Sequence, residues 1–268
     1  MSNLTTGGCK ERMIETIGVL GGMGPAATVD FYRRIVAVTA ARKDQDHIHV
    51  LIDGNPCVPD RTGFLMGQTD DPTPMLVRMA HVLEQARADL LVIACNTANI
   101  FAPHIEASVS IPVFHWADEV AARLRALQPD IARVGLLATT GTITHGLYLQ
   151  AFQRYGVNVI IPQPAIQQQV MGTIYDSSGI KAGGNDIVAL QQTIEYAGRH
   201  LQDLGAQAVL LACTELSLLF ASCVPACPIP AFDAAQLAAE RVVQLAGRRL
   251  KQETKISSSM PPCASGTR

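Results

Sequence analysis

Apolar residues along this chain fall into two kinds of run. The short, dense ones are "TIGVL" (16–20), "HIHVLID" (47–53), "DLLVIA" (89–94), "RVGLLA" (133–138), "VNVII" (157–161) and "QAVLLA" (207–212), all of strand length. Between them lie longer stretches in which apolar positions recur every three to four residues, among them "AATVDFYRRIVAVTAA" (26–41), "PMLVRMAHVLEQARA" (74–88) and "IVALQQTIEYAGRHLQDL" (187–204). Strands that are apolar on both faces and separated by helices predict parallel sheets covered by helices on each side, an α/β fold.

The pattern also repeats. Cys95, which closes the run at 89–94, and Cys213, which closes the run at 207–212, are 118 residues apart. "GVLGGMGP" from Gly18 and "GLLATTGT" from Gly135 are 117 apart, and Tyr32 and Tyr148 in the following helices 116 apart. So constant an offset predicts two similar α/β lobes related by pseudo-twofold symmetry, 14–116 and 117–230, with the active site between them. A final helix in "DAAQLAAERVVQLAGRRLK" is expected to pack back on the first lobe, adding 231–250 to it. The ends, 1–12 and 251–268, are polar and broken by Gly, Ser and Pro, and read as disordered tails.

A length of 268 residues suits this two-lobe reading, and 48% hydrophobic residues against 16% charged provide a core and exclude a wholly disordered chain. The formal net charge is -2 with no run of Lys or Arg, so nucleic acid is not the expected partner. No apolar span is long enough for a membrane, and the first residues lack the apolar centre of a secretory signal, which leaves the cytoplasm as the expected location. Seven cysteines, an odd number, then imply free thiols. Metal binding is not expected: Cys223 and Cys227 have no second ligand pair nearby, and His47 and His49 have the spacing of strand residues.

Ligands of open parallel sheets gather beyond the carboxyl ends of the strands, where Cys95 and Cys213 stand. Facing lobes would bring the two thiols to one cleft from opposite sides, a geometry suited to a carbon attacked on either face. Each cysteine precedes a likely helix start, with Asn96, Thr97 and Thr214 as cap-type residues, so the helix dipole is expected to favour thiolate. A thiolate can take a proton while its protonated twin gives one. "GGMGPAAT" (21–28) is a glycine loop opening onto a helix that Pro25 can start; a plain turn is as good a reading of it as an anion site. Arg61, in the irregular "GNPCVPDRTGFL" (54–65), reads equally as a salt bridge to Asp60 or another acid and as a ligand for an anion.

Taken together, "GVLGGMGPAAT", "NPCVPDRT", "ACNTAN" and "ACTEL", in this order and spacing, resemble the aspartate/glutamate racemase family, closest to its aspartate racemase branch, over residues 14 to 247. The resemblance implies a two-lobed enzyme without pyridoxal phosphate or metal, commonly a homodimer, that inverts a small amino acid with a thiol on each side. It makes Cys95 and Cys213 the catalytic pair. Arg61 and, by a looser match, Lys181 are the residues at the distal carboxylate of the substrate. Met23, Gly24, Asn96, Thr97 and Thr214 surround the α-carboxylate and amino group, with Thr139 and Thr140 as further candidates. One position departs: many relatives of this branch carry His four residues after the first thiol, where this chain has Asn99.

Three readings follow from the resemblance. The first is a cofactor-independent racemase of aspartate, possibly also of glutamate or other amino acids. The second is another isomerase or decarboxylase of the superfamily, of which maleate isomerase best suits a site with Arg61 and Lys181. The third is an amino-acid-binding protein that has lost turnover through Asn99.

Overall fold

The computed structural model describes residues 14–221, 226, 227 and 229–251. In chain order these form β1 (Thr16–Gly21), α1 (Pro25–Val38), β2 (His49–Gly54), α2 (Arg61–Leu65), α3 (Thr73–Gln85), β3 (Leu90–Ile93), α4 (Ala102–Glu106) and α5 (Trp116–Leu127). They continue with β4 (Arg133–Leu137), α6 (Thr140–His145), α7 (Leu147–Gln153), β5 (Asn158–Ile160), α8 (Pro164–Tyr175), α9 (Ile187–Asp203), β6 (Ala208–Leu211), α10 (Thr214–Leu219), β7 (Ala231–Asp233) and α11 (Ala234–Leu245). The fold is α/β, with two parallel sheets flanked by helices.

The first sheet has the order β2-β1-β3 and the second β5-β4-β6-β7. The six strands expected from the apolar runs are present, with ends shifted by at most two residues. β7 was not legible as a strand; three residues are too few for a period to emerge. The first sheet carries its counterpart only as a parallel bridge, Leu91 to Val113.

Alternation along the central strands divides the interior. Ile17 and Val19 of β1, with Val134 and Leu136 of β4, face a core shared by α1, α5, α7 and α11. The opposite face of the first sheet packs under α3 and α4 through Leu20, Leu91 and Ile93, and that of the second under α8 and α9 through Leu137, Val209 and Leu211. The order of layers is therefore helix, sheet, shared helices, sheet, helix.

The shared layer has a particular weave. α11 follows the second sheet but packs on α1, and α5 follows the first sheet but packs on α7, with α5 and α11 against each other in the middle. Residues 231–233 thus hydrogen-bond within the second sheet, while the helix after them reaches the first lobe. Beyond it, Ala40 and Lys251 complete backbone bonds that hold the residues after α11 to the end of α1. Residues 1–12 and 252–268 of the expected tails lie outside the described residues.

Close packing of helix on sheet requires a glycine at matched places. A Cβ on Gly18 would stand 2.8 Å from Ala88 Cβ, and one on Gly135 would stand 2.9 Å from Leu201 Cβ and 3.2 Å from Ala206 Cβ. In the aromatic register the structure corrects the tyrosine pair: Tyr148 is buried in the shared core, Tyr32 is exposed, and the buried counterpart of Tyr148 is Phe31, 117 residues away. The face of α1 that carries Tyr32 points to solvent in the described chain. Among the described residues no helix is long and apolar enough to cross a membrane.

Candidate active site

The carboxyl ends of β1, β3, β4 and β6 deliver four short loops to one cavity. Its walls include Met23, Arg61, Cys95, Asn96, Thr97 and Thr139, together with Tyr175, Lys181, Cys213, Thr214 and Glu215. Both thiols are buried and border the same space, which has room for about one water molecule.

Most of the residues singled out in the sequence meet here. Gly24 stands at the rim, where a Cβ would come 3.5 Å from Glu215 Oε1. Thr140 is turned away: its backbone N–H donates to Met171 Sδ (3.1 Å) and its hydroxyl accepts from Gln167 (3.3 Å). Tyr175, Glu215 and Thr142 take part without having been singled out. Glu215 belonged to the quoted "ACTEL" but its partners are distant in sequence, and Tyr175 sits in a helix with no chemical signature.

Arg61 opens α2, whose cap is Asp60: the Asp60 carboxylate accepts from Gly63 N–H at 2.7 Å. Instead of pairing with Asp60, the guanidinium donates from Nη1 to the carbonyls of Val58 (3.1 Å) and Pro59 (3.0 Å) and from Nη2 to that of Met23 (3.1 Å). Of the five guanidinium N–H groups, these bonds leave the Nε–H and one on Nη2, and Nε is buried with no partner. Burial opposes the charge of Arg61, but Cys95, Asp60 and Tyr175 outweigh it and hold the guanidinium more basic than usual.

Asn96 is the second buried donor left over. Tyr148, from the other lobe, donates its hydroxyl to Asn96 Oδ1, and Asn96 Nδ2 has no partner. Three threonine hydroxyls close the floor between the lobes: Thr97 lies 2.9 Å from Thr139 and 3.0 Å from Thr142, which are 3.1 Å apart. Asn99 faces the backbone, donating to the carbonyls of Ile93 (3.1 Å) and Cys95 (2.8 Å), so its amide secures the end of β3. Above the cavity Tyr175 donates to Asp60 Oδ2 at 3.1 Å, a second polar link between lobes.

Around Cys213 the charges are reversed relative to Cys95. Its Sγ donates to Glu215 Oε2 at 3.2 Å, Thr214 donates to the same oxygen at 3.3 Å, and Lys181 pairs with Glu215 Oε1 at 2.8 Å. Lys181 also sits 5.5 Å over the Tyr175 ring. Burial and then the Glu215 charge raise the Cys213 thiol well above its ordinary range, more than Lys181 lowers it. Burial works against ionisation of Glu215 too, yet the ion pair with Lys181 and the bond from Cys213 bring it below the usual carboxylate value.

The helix-dipole expectation is thereby corrected for Cys213. A dipole contributes about 0.3–1 kcal/mol at an exposed helix end, too little against desolvation and an adjacent carboxylate. The cap-type side chains do not cap either: neither Asn96 nor Cys213, the residues at the two helix starts, makes a side-chain cap bond. Asn96, Thr97 and Thr214 bond across the site instead. Cys57 is exposed outside the cavity and Cys227 is half-buried away from it, while Cys9, Cys223 and Cys263 lie outside the described residues.

A sequence profile of the family described as Asp/Glu/Hydantoin racemase matches residues 20–242. Among curated proteins, the broad specificity amino-acid racemase RacX of Bacillus subtilis is 26% identical over 214 residues, spanning 75% of this chain and 86% of that protein. Among solved structures, Picrophilus torridus aspartate racemase superposes with a TM-score of 0.76 at 29% identity, covering 89% of this chain and 97% of that one. Glutamate racemase isoform RacE1 from Bacillus anthracis shares the fold, with a TM-score of 0.60 at 17% identity over 88% of this chain and 83% of its own.

Proposed function

The chain belongs to the Asp/Glu/hydantoin racemase family, and from that premise we propose that it interconverts the enantiomers of an acidic amino acid, aspartate first and glutamate second, with two thiols and neither pyridoxal phosphate nor metal. The observation that carries this reading is the pair of thiols at equivalent strand ends, Cys95 and Cys213, on the walls of one buried cavity.

The chemistry proceeds by two proton transfers. The thiolate of one cysteine takes the proton from Cα, and the electrons of the broken C–H bond pass into the α-carboxylate, giving an enediolate-like species. The S–H of the other cysteine then breaks, and its proton joins Cα on the opposite face. Proton transfer by positioned groups contributes about 10²–10⁴-fold, so the developing negative charge needs fixed donors as well. The unpartnered N–H groups of Asn96 and Arg61 are suited to that task in a site too small for bulk water.

The acidic substrate class rests on Arg61 and Lys181. Two guanidinium N–H groups of Arg61 remain for a carboxylate, and Lys181 keeps donors beyond the one held by Glu215, since an ammonium has three. Among the thiols, Cys95 is assigned to the D enantiomer and Cys213 to the L.

Incubation of each pure enantiomer in deuterated water, followed by chiral separation and mass analysis, tests the proposal. The wild type should racemise aspartate with deuterium at Cα. Racemisation should fall at least about 10²-fold in Cys95→Ser and in Cys213→Ser, with exchange lost from D-aspartate in the first and from L-aspartate in the second. Loss of exchange from the L form in Cys95→Ser would reverse the assignment. Isomerisation of maleate without racemisation of any amino acid, or saturable amino-acid binding without exchange, would overturn the function itself.

A further inference from the structure

Charged groups in the cavity are arranged unequally about the two sulfurs, and the difference converges on Glu215, which neither the family match nor the mechanism above employs. Its carboxylate is buried and fully engaged: Oε2 accepts from Cys213 Sγ (3.2 Å) and from Thr214 (3.3 Å), and Oε1 is held by Lys181 Nζ (2.8 Å). A carboxylate with both oxygens so occupied accepts hydrogen bonds and has no proton to give. Cys95 has the opposite neighbour, the Arg61 guanidinium, with which it interacts directly. We propose that Glu215 is a positioning residue that sets the polarity of the resting enzyme, holding Cys213 as the protonated thiol through one oxygen while Lys181 secures the other. The proposal rests on the two-thiol reading above.

The chemical consequence is a defined starting state. Cys95 is the base of the free enzyme and Cys213 its acid. In the transfer that begins from this state, the Cα–H proton passes to the Cys95 sulfur. Rotation about the Cβ–Sγ bond of Cys213 then carries its S–H from Glu215 to Cα, and the thiolate left behind is repelled by Glu215, which favours regaining a proton from solvent. A distal carboxylate on the substrate can bond to Lys181 without releasing Glu215, so the same lysine both ties the anionic ligand and preserves the acid. The other ionisable groups facing this pair are Tyr175 from α8, Arg61 and Cys95 across the cavity, and Tyr148 beneath it. Those on the helices around α10 are committed elsewhere: Arg34 of α1 to Asp30 and Asp233, and Glu240 of α11 to Arg123 and Gln236.

Ultraviolet thiolate absorbance titrated against pH tests this without turnover. The Cys213 signal is isolated as the difference between each protein and its Cys213→Ser counterpart. In Glu215→Gln, which keeps the shape and removes the charge, the Cys213 thiolate should appear about one pH unit or more lower than in the wild type. In Lys181→Gln, which removes the compensating cation, it should appear higher. Opposite shifts from two neighbouring substitutions are not the signature of a general loss of packing, and the lysine variant stands in if the glutamine variant does not fold. A folded Glu215→Gln protein with an unmoved Cys213 titration, or shifts of the same sign in both variants, would overturn the proposal. Should the titrations behave as stated while no amino acid is racemised, the racemase reading fails and the role of Glu215 as proton holder survives.

Discussion

At the scale of single residues, the site is built from groups that no local sequence pattern connects. Tyr148 is the clearest case. Its ring is part of the shared core against Phe152, yet its hydroxyl is the only described partner of Asn96 Oδ1, 52 residues earlier. That bond orients the amide, because an oxygen occupied by Tyr148 leaves Nδ2 as the group available to a substrate. Tyr148→Phe removes the donor and keeps the ring, so a buried acceptor loses its partner, a loss of about 1–3 kcal/mol. The expected outcome in steady-state kinetics is a KM raised up to about tenfold, with a smaller change in kcat, and a lowered Tm by calorimetry. A proportional fall in kcat with unchanged KM would place Asn96 in the chemical step instead. The cysteines, Asn96, Thr97 and Thr214 were legible because strand-end motifs keep them beside one another in sequence. Tyr148 and Tyr175 were not, since a tyrosine in an amphipathic helix looks the same whether its hydroxyl meets water or a buried acid. Lys181 was placed only by resemblance, and its partner Glu215 lies 34 residues away.

At the scale of elements, the repeat proves deeper than the two landmarks that revealed it. The ends of α3 and α9 correspond residue by residue: after each, one residue takes a left-handed backbone, Gly205 at φ 95° in the second lobe and Arg87 at φ 68° in the first. Arg87 and Gly205 are 118 residues apart, the cysteine offset. A side chain in that conformation costs about 1–2 kcal/mol, and glycine is the residue that avoids it. Arg87→Gly should therefore raise stability by about 1 kcal/mol, measured as the urea midpoint at unchanged slope. No gain would mean that the bonds of the Arg87 side chain offset the strain. The periodicity read from the sequence located this correspondence only through its apolar members. The short α4, α6 and α10, at five to six residues each, lack the two turns over which a period of 3.6 can be told from chance.

At the scale of the whole molecule, the exchange of helices decides how the lobes behave. α5 and α11 are each twelve residues long and start 118 residues apart, and each leaves its own sheet to pack on the first long helix of the other lobe. Trp116, the single tryptophan, lies fully buried at the head of α5 against Phe31 of α1 and Phe114. A lobe cut at the boundary near 116 would expose the face that these helices bury, at about 25 cal/mol for each Å² of apolar surface. Two lobes sharing one core should consequently unfold together. In urea, tryptophan fluorescence and far-ultraviolet circular dichroism should follow one coincident transition, and residues 117–230 expressed alone should not give a cooperative one. Two resolved transitions, or a folded isolated half, would show that the exchanged helices are an attachment and not the common core. The same weave explains how a site with room for about one water can admit an amino acid. The helix layer is continuous on the far side, whereas near the cavity the lobes meet through hydroxyls, Thr97 with Thr139 and Thr142, and Tyr175 with Asp60. Hydrogen bonds of this kind contribute about 0.5–1.5 kcal/mol each, far less than the buried layer, so opening is confined to the side where the substrate must pass.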